Sequence, residues 1–329
     1  MPGLVVRKDN GDLRYYPVFQ RDGLCTFIPS KEHGQPETGK EVGEGFKFEK
    51  YLPGYWMPSP TTSARRRIGG GNSLIVLEKD GDLKFYPFVG HSFKIPDTGK
   101  KVGKGFRPDM DFIVAEWTSS GMSDLLVRDK DGRLRLFPWN GHEFLDLGSR
   151  EVVGEGFDKD KVTHFFPGYW LGKKNPDLLV READGDLVLY PFDGVTFKSQ
   201  GKGRRIGRGF GKDLLVYLVD EWMGNNYPSI IALHKDNKLI SYPYGLRQED
   251  GYPAFDNPPY QTVGKGFKSN YTYIVGHFRN PGRPDLVICD DKKRMRFFPF
   301  DGQKFVDLGK SEEVGKDWKF THFWDFYPV

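Results

Sequence analysis

The chain has 329 residues, 37% of them hydrophobic and 15% aromatic, with 49 lysines and arginines set against 45 aspartates and glutamates. A net charge of +4 with basic and acidic residues interleaved excludes the basic stripe of a nucleic-acid binder, and no apolar run of about 18 residues is present to make a spanning helix. Cys25 and Cys289 alone argue for neither a disulfide framework nor a thiolate zinc site.

From the first residues the chain repeats itself. Short apolar runs open at Gly3, Ser73, Asp124, Asp177, Ser229 and Asp285, so one unit of roughly 50 residues recurs six times, the period of propellers and solenoids. The start MPGLVVRKDNGDL enters the first run with no secretory leader, and the expected location is cytoplasmic, or outside the cell without a recognisable leader. Each apolar run is followed by a turn such as Asp131-Gly132 or Asp184-Gly185, a hairpin signal. The next strand alternates and is expected to end at one register, at Pro17, Pro87, Pro138, Pro191, Pro243 and Pro299, because proline cannot donate to a ladder.

A further strand carries Val42-Gly43-Glu44-Gly45-Phe46 and its counterparts ending at Phe106, Phe157, Phe210, Phe267 and Trp318. The glycines let backbones approach while the aromatic ring fills the space between sheets. The last strand of the repeat spans 51–56, 111–117, 162–170, 214–222, 271–278 and 320–327. The chain therefore starts on the second strand of a unit and finishes on a first strand. The pattern predicts one all-β domain over 1–329, a six-bladed β-propeller of four-stranded antiparallel blades, with the C-terminal strand completing the N-terminal blade.

In such a blade the loops after strands one and three share one side. The long insertions 18–38, 57–72 and 245–261 all fall there, and long loops on a rigid scaffold commonly bind ligands. Strand one ends on the same side, which places Tyr55, Glu116, Tyr169, Glu221, His277 and Asp325 near the channel mouth. Glu221, His277 and Asp325, on consecutive strands, are candidates for acid and base chemistry, or for a hydrated channel lining. Tyr55, Glu116 and Tyr169 are candidate ligand contacts around them. Trp56, Trp117, Trp170 and Trp222 are expected to pack between blades. The aromatic residues that follow the repeated proline, Phe88, Trp139, Phe192, Tyr244 and Phe300, offer faces for stacking a sugar. His164 and His322 begin their strands and read as structural histidines. Arg65-Arg66-Arg67 and Gly69-Gly70-Gly71 can present guanidinium and amide groups to an anion. No Walker loop, G-x-S-x-G elbow or H-E-x-x-H pair occurs, so those three chemistries have no support.

The run Gly276-His277-Phe278-Arg279-Asn280-Pro281-Gly282-Arg283-Pro284-Asp285-Leu286-Val287 resembles the FG-GAP or VCBS repeat of integrin-like propellers. Related repeats build the propeller lectins of the Psathyrella and Photorhabdus kinds, and the resemblance implies sugar sites between or upon blades. In that family the turn after strand one often carries a calcium loop, since a hard cation needs several oxygens from one tight turn. Here only Glu116, Thr118, Ser120, Gly121 and Asp124 keep a recognisable spacing, and the expected state is a polar turn closed by side-chain hydrogen bonds, with no metal and no cofactor. The expected function is lectin-like recognition of a glycan or another small molecule, with no nucleic-acid or membrane partner. The alternatives are an enzyme with one acid/base pocket, of cyclase, lyase or hydrolase type, and a protein-interaction platform.

Overall fold

The computed structural model describes residues 3–21, 24–27, 39–58, 71–89, 92–93, 99–145, 152–197, 203–243, 245, 254–255, 260–280, 283–306, 312–315 and 318–326. Its strands run in chain order as β1 (Gly3–Lys8), β2 (Leu13–Pro17), β3 (Phe19–Arg21), β4 (Leu24–Thr26), β5 (Lys40–Gly43), β6 (Lys50–Gly54), β7 (Ser73–Leu77), β8 (Leu83–Val89), β9 (Ser92–Phe93) and β10 (Lys100–Gly103). They continue as β11 (Asp111–Ala115), β12 (Asp124–Arg128), β13 (Leu134–Phe137), β14 (Val152–Gly154), β15 (Val162–Gly168), β16 (Asp177–Glu182), β17 (Leu187–Tyr190) and β18 (Arg204–Gly207). The remainder are β19 (Leu214–Asp220), β20 (Ser229–His234), β21 (Lys238–Tyr242), β22 (Gln261–Lys265), β23 (Thr272–Asn280), β24 (Arg283–Cys289), β25 (Met295–Phe298), β26 (Glu312–Gly315) and β27 (Phe320–Phe326). No helix occurs among the described residues.

These strands make six antiparallel blades, and the fold is a six-bladed β-propeller. Blade 1 is β27-β1-β2-β5, blade 2 is β6-β7-β8-β10, and blades 3 to 6 are β11–β14, β15–β18, β19–β22 and β23–β26. The C-terminal strand completes the first blade, with Leu4 opposite Asp325 and Val6 opposite Phe323. By contact density blades 1, 2 and 6 form one compact unit and blades 3, 4 and 5 another.

The repeated prolines mark a register rather than a uniform stop. Strands β13, β17, β21 and β25 end just before theirs, but β8 runs through Pro87 to Val89 because Phe88 pairs with Phe93 of β9. Likewise β24 opens at Arg283, two residues before Asp285, since Asn280 and Arg283 still pair across the turn.

The G-x-G-F motif ties each blade to itself and, within each compact unit, one blade to the next. In every blade the backbone N–H of the motif aromatic donates to the hairpin-turn carbonyl of the same blade: Phe46 to Gly11, Phe106 to Gly81, Phe157 to Gly132, Phe210 to Gly185, Phe267 to Asn237 and Trp318 to Lys293, at 2.8 to 3.2 Å. The second glycine holds a left-handed φ that a side chain would strain, as at Gly156 (81°) and Gly209 (80°). The ring then crosses to the following blade. Phe46 meets Tyr86 at 4.9 Å, Phe157 meets Tyr190 at 4.8 Å, Phe210 meets Tyr242 at 4.7 Å and Trp318 meets Tyr16 at 4.5 Å. These are tilted contacts between aromatic rings, each worth about 0.5–1.5 kcal/mol beyond the area buried.

The repeated tryptophans pack toward the following blade as well. Trp56, Trp117, Trp170 and Trp222 are fully buried, and each indole N–H donates to the carbonyl four residues back, at Leu52, Ile113, Phe166 and Leu218. Trp117 reaches Phe192 and Phe197 of blade 4, and Trp170 reaches Phe255 of blade 5. Phe278 replaces the tryptophan in blade 6 and meets Phe27 of blade 1.

A buried carboxylate pins three blades from within. Asp124 accepts from Thr118 N and Thr118 Oγ1 on one oxygen and from Trp139 N on the other. Asp177 takes Leu171 N and Phe192 N, and Asp285 takes Arg279 N and Phe300 N. One side chain thus closes both loops on the same side of its blade. It satisfies backbone donors that would otherwise be buried without partners.

Candidate functional site

The loops after strand three settle what the post-proline aromatics do. In blade 4 Asp193 Oδ1 accepts from Val195 N and Thr196 N, and Asn140 and Asp301 make the same turn in blades 3 and 6. The turn folds each loop back so that Trp139 bridges Phe144 and Phe300 bridges Phe305, while Phe88 lies on Phe93 and Phe192 on Phe197. Trp139 and Phe192 are each 2% exposed. Their rings are core, and the stacking role expected for them is corrected accordingly: a sugar cannot lie on a face already covered by another ring. Tyr244 lies outside the described residues, as do most of the three long insertions and Arg65 to Gly70.

At the ends of the first strands, the ladder registers correct one residue. Gly54, Ala115, Gly168, Asp220, Gly276 and Phe326 each face the first residue of the unit, at Ser73, Asp124, Asp177, Ser229, Asp285 and Gly3. Tyr55, Glu116, Tyr169, Glu221 and His277 come next in chain, but Asp325 sits two positions earlier than that level, opposite Leu4. The correspondence fails because blade 1 ends in Phe-Tyr-Pro rather than in a residue followed by Trp.

In the unit of blades 3 to 5, Glu116 and Tyr169 come together, the phenol oxygen 3.4 Å from Glu116 Oε2. Glu116 Oε1 meanwhile accepts from Gly121 N at 2.7 Å. Glu221 is partly exposed beside buried Asp220, whose carboxylate accepts from Glu221 N. In the other unit His277 is buried, and a Cβ on its neighbour Gly276 would lie 3.2 Å from that of Asp325.

The turn with the recognisable calcium spacing has its oxygens engaged: Glu116 by Gly121 N, Asp124 by Thr118 and Trp139. Elsewhere among the described residues, Glu78, Asp80 and Asp82 gather in the blade 2 hairpin turn, but Lys84 and Lys101 already pair with Glu78 and Asp82. A chelator is therefore expected to leave the melting temperature unchanged, since only a ligand held by the native state raises it. A clear drop restored by added calcium would contradict that expectation.

A cleft of about 590 Å³ opens between blades 3 and 4, within the 300–1,000 Å³ typical of small-ligand sites. Its floor is the aromatic contact described above, Phe157 against Tyr190, with Phe197 behind. Gly203 lies on the Tyr190 ring so closely that a Cβ there would strike it, which makes glycine obligatory. Partial burial, then the nearby Glu182 carboxylate, pushes the Tyr190 hydroxyl above its usual range and keeps it a neutral donor. Around the rim Arg205 pairs with Asp186 at 3.1 Å and Lys161 reaches Glu182 at 3.5 Å.

Val188 lines the opening. At the level of Val188 the other blades carry Arg14, Lys84, Arg135, Ile240 and Arg296. Lys84 reaches across to Glu78, Arg135 to Asp129 and Arg296 to Asp290. Val188 is too short to cross. The aromatic floor is thus common to several blades, whereas a position with no basic side chain to cross it occurs at Val188 and, in blade 5, at Ile240. The cleft was not anticipated from sequence, although its signal is there as a lone valine in a column of mostly basic residues.

No protein-family model and no curated protein matches the chain. Among solved structures it is similar to an Agrocybe aegerita lectin described as recognising non-reducing terminal N-acetylglucosamine, at a TM-score of 0.62 and 13% identity, over 99% of this chain and 95% of that one. At that identity the likeness is one of fold.

Proposed function

We propose that the chain is a lectin-like, ligand-binding propeller and that the cleft beside Tyr190 takes a sugar. The observation that carries the reading is the coincidence, at one place, of an aromatic edge with two carboxylates and two cations left reachable by Val188. Vicinal sugar hydroxyls are donors and acceptors together. Asp186 and Glu182 accept from them, Arg205 and Lys161 donate, and Tyr190 packs against the apolar ring face. The shared fold with a lectin that recognises terminal N-acetylglucosamine supports this and indicates which sugars to try first. The FG-GAP/VCBS likeness of the stretch 276–287 is compatible with it. Nothing among the described residues favours the acid/base reading of Glu221, His277 and Asp325, or an interaction platform, over the cleft.

The test is a glycan array headed by N-acetylglucosamine-terminated chains, followed by calorimetry on Val188→Lys. That substitution introduces the basic residue that four of the other blades carry and should close the cleft by pairing with Glu182, weakening binding by at least ~10-fold, or about 1.4 kcal/mol. Unaltered affinity in the Val188→Lys protein would remove the cleft from the reading. Absence of any bound glycan would remove the lectin reading itself.

A further inference from the structure

Two clusters outside the cleft repeat each other residue for residue, each within one compact unit. In blade 4, Arg181 donates through Nε to the Phe210 carbonyl and through Nη1 to Thr163 Oγ1 at 2.7 Å. In blade 1, Arg7 donates to the Phe46 carbonyl at 2.6 Å and to Thr321 Oγ1 at 2.7 Å. The following histidine places Nδ1 3.1 Å from that hydroxyl in both, His164 on Thr163 and His322 on Thr321. Each imidazole packs with two aromatic rings that also touch each other: His164 with Phe166 and Tyr217, His322 with Trp324 and Tyr51.

Capping a carbonyl explains the arginine alone. It does not explain the threonine, the histidine or the backbone. Thr163 and Thr321 are the extra residues of β-bulges, since the registers slip between Val162 and His164 and between Phe320 and His322. A bulge re-aims side chains, and here Thr163, His164, Thr321 and His322 are exposed. Blade 5 has the bulge too, at Leu215, but there Leu233 stands in place of the arginine and no cation is present. Blade 3 has the arginine, Arg128, but Asp111 neutralises it at 2.7 Å. Neither Arg7 nor Arg181 makes an ion pair with a carboxylate among the described residues. The uncancelled cation thus occurs where the bulged threonine and the ring-packed histidine occur with it.

The threonine hydroxyl donates to the carbonyl of the arginine, Thr163 to Arg181 and Thr321 to Arg7. Its oxygen can therefore only accept from the histidine Nδ1–H, which sets the tautomer and leaves Nε2 as the nitrogen that takes up the second proton. Partial burial, then the adjacent guanidinium, holds both imidazoles below the ordinary histidine range, the condition of a site awaiting a counter-charge.

We propose that these are two equivalent oxyanion sites per chain, each taking one carboxylate, phosphate or sulfate group between the arginine and the histidine. The guanidinium donates to the anion directly, and the imidazole does so from Nε2–H once anion binding brings a second proton onto the ring, so that both bonds are charge-assisted. The site is separate from the sugar cleft and does not depend on it.

The test follows the histidine ring signals of the full-length protein by NMR at fixed ionic strength. Inorganic phosphate, sulfate and glucuronate are titrated in turn, to tell a free inorganic anion from an acidic sugar. His164 and His322 are expected to move saturably and in parallel with at least one of the three. Arg181→Gln should weaken the response at His164 by ~10-fold or more and leave His322 unchanged, and Arg7→Gln should do the reverse. Should either variant fail to fold for want of its carbonyl cap, Thr163→Val and Thr321→Val keep the arginine and should still weaken only their own site. No saturable movement with any of the three anions, or variants that change both histidines or neither, would overturn the proposal.

Discussion

A chain ending at Lys319 is expected not to fold cooperatively. Strand β27 is the first strand of blade 1, pairing with β1 over Gly3 to Lys8. Its removal exposes a strand whose Leu4, Val5 and Val6 are at most 1% accessible in the intact protein. Lost ladder bonds cost about 1 kcal/mol each, and re-exposing three such side chains costs about 1.5–3 kcal/mol apiece before partial relief. The sum is about 10 kcal/mol, as large as the whole stability of an ordinary domain. The open edge is also a template for aggregation. Thermal and urea unfolding should lose their single transition in the truncated protein; a melt superimposable on that of the full chain would show that blade 1 is closed by something else.

The second large effect is on pH dependence. Burial pushes the carboxyls of Asp124 and Asp177 up to about 6 from 3.8, against the opposing pull of the backbone donors that each accepts. A raised carboxyl means that the folded state binds its proton more tightly than the unfolded chain. Stability from these groups is therefore full below about pH 4 and is lost as pH rises toward 6. A rise of that size is worth about 3 kcal/mol for each carboxyl, about 6 for the pair. Asp290 acts in a separate window. Burial pushes it up, but the backbone N–H and guanidinium of Arg294 outweigh that and hold it at about 2, so its contribution is lost only as pH falls from 4 toward 2. His164 and His322, held low, oppose the aspartates at the upper end. The clean readout is the difference between wild type and the Asp124→Asn, Asp177→Asn double variant. Between pH 4 and 6 the unfolding free energy of wild type should fall by several kcal/mol relative to the variant. Parallel curves would mean that the two carboxyls titrate normally.

The fold was legible because its signals are local and repeated. Gly132 and Gly185 made the hairpins visible, and G-x-G-F at Phe157 or Phe210 marked the last strand of each blade. Phe320 onward was recognisable as a first strand with no partner of its own. The site was less legible because contact depends on which residue faces which across a ladder. Trp139 and Phe192 follow a proline and look presented to solvent, yet the Asx turns at Asn140 and Asp193 fold Phe144 and Phe197 over them. Asp325 seemed level with His277 until its pairing with Leu4 put it two residues away. Val188 carried the information in the opposite sense, as a missing lysine. Thr163 and Thr321 matter only because of bulges that no periodicity announces.

Sugar binding in the cleft between blades 3 and 4 is tested most directly by a crystal structure of the full chain soaked with the tightest glycan from the array. The expected result is a sugar ring over the Tyr190 edge, with hydroxyls on Asp186, Glu182 and Arg205. A sugar bound instead at Glu116 and Tyr169, with the cleft beside Tyr190 empty at saturating ligand, would contradict it.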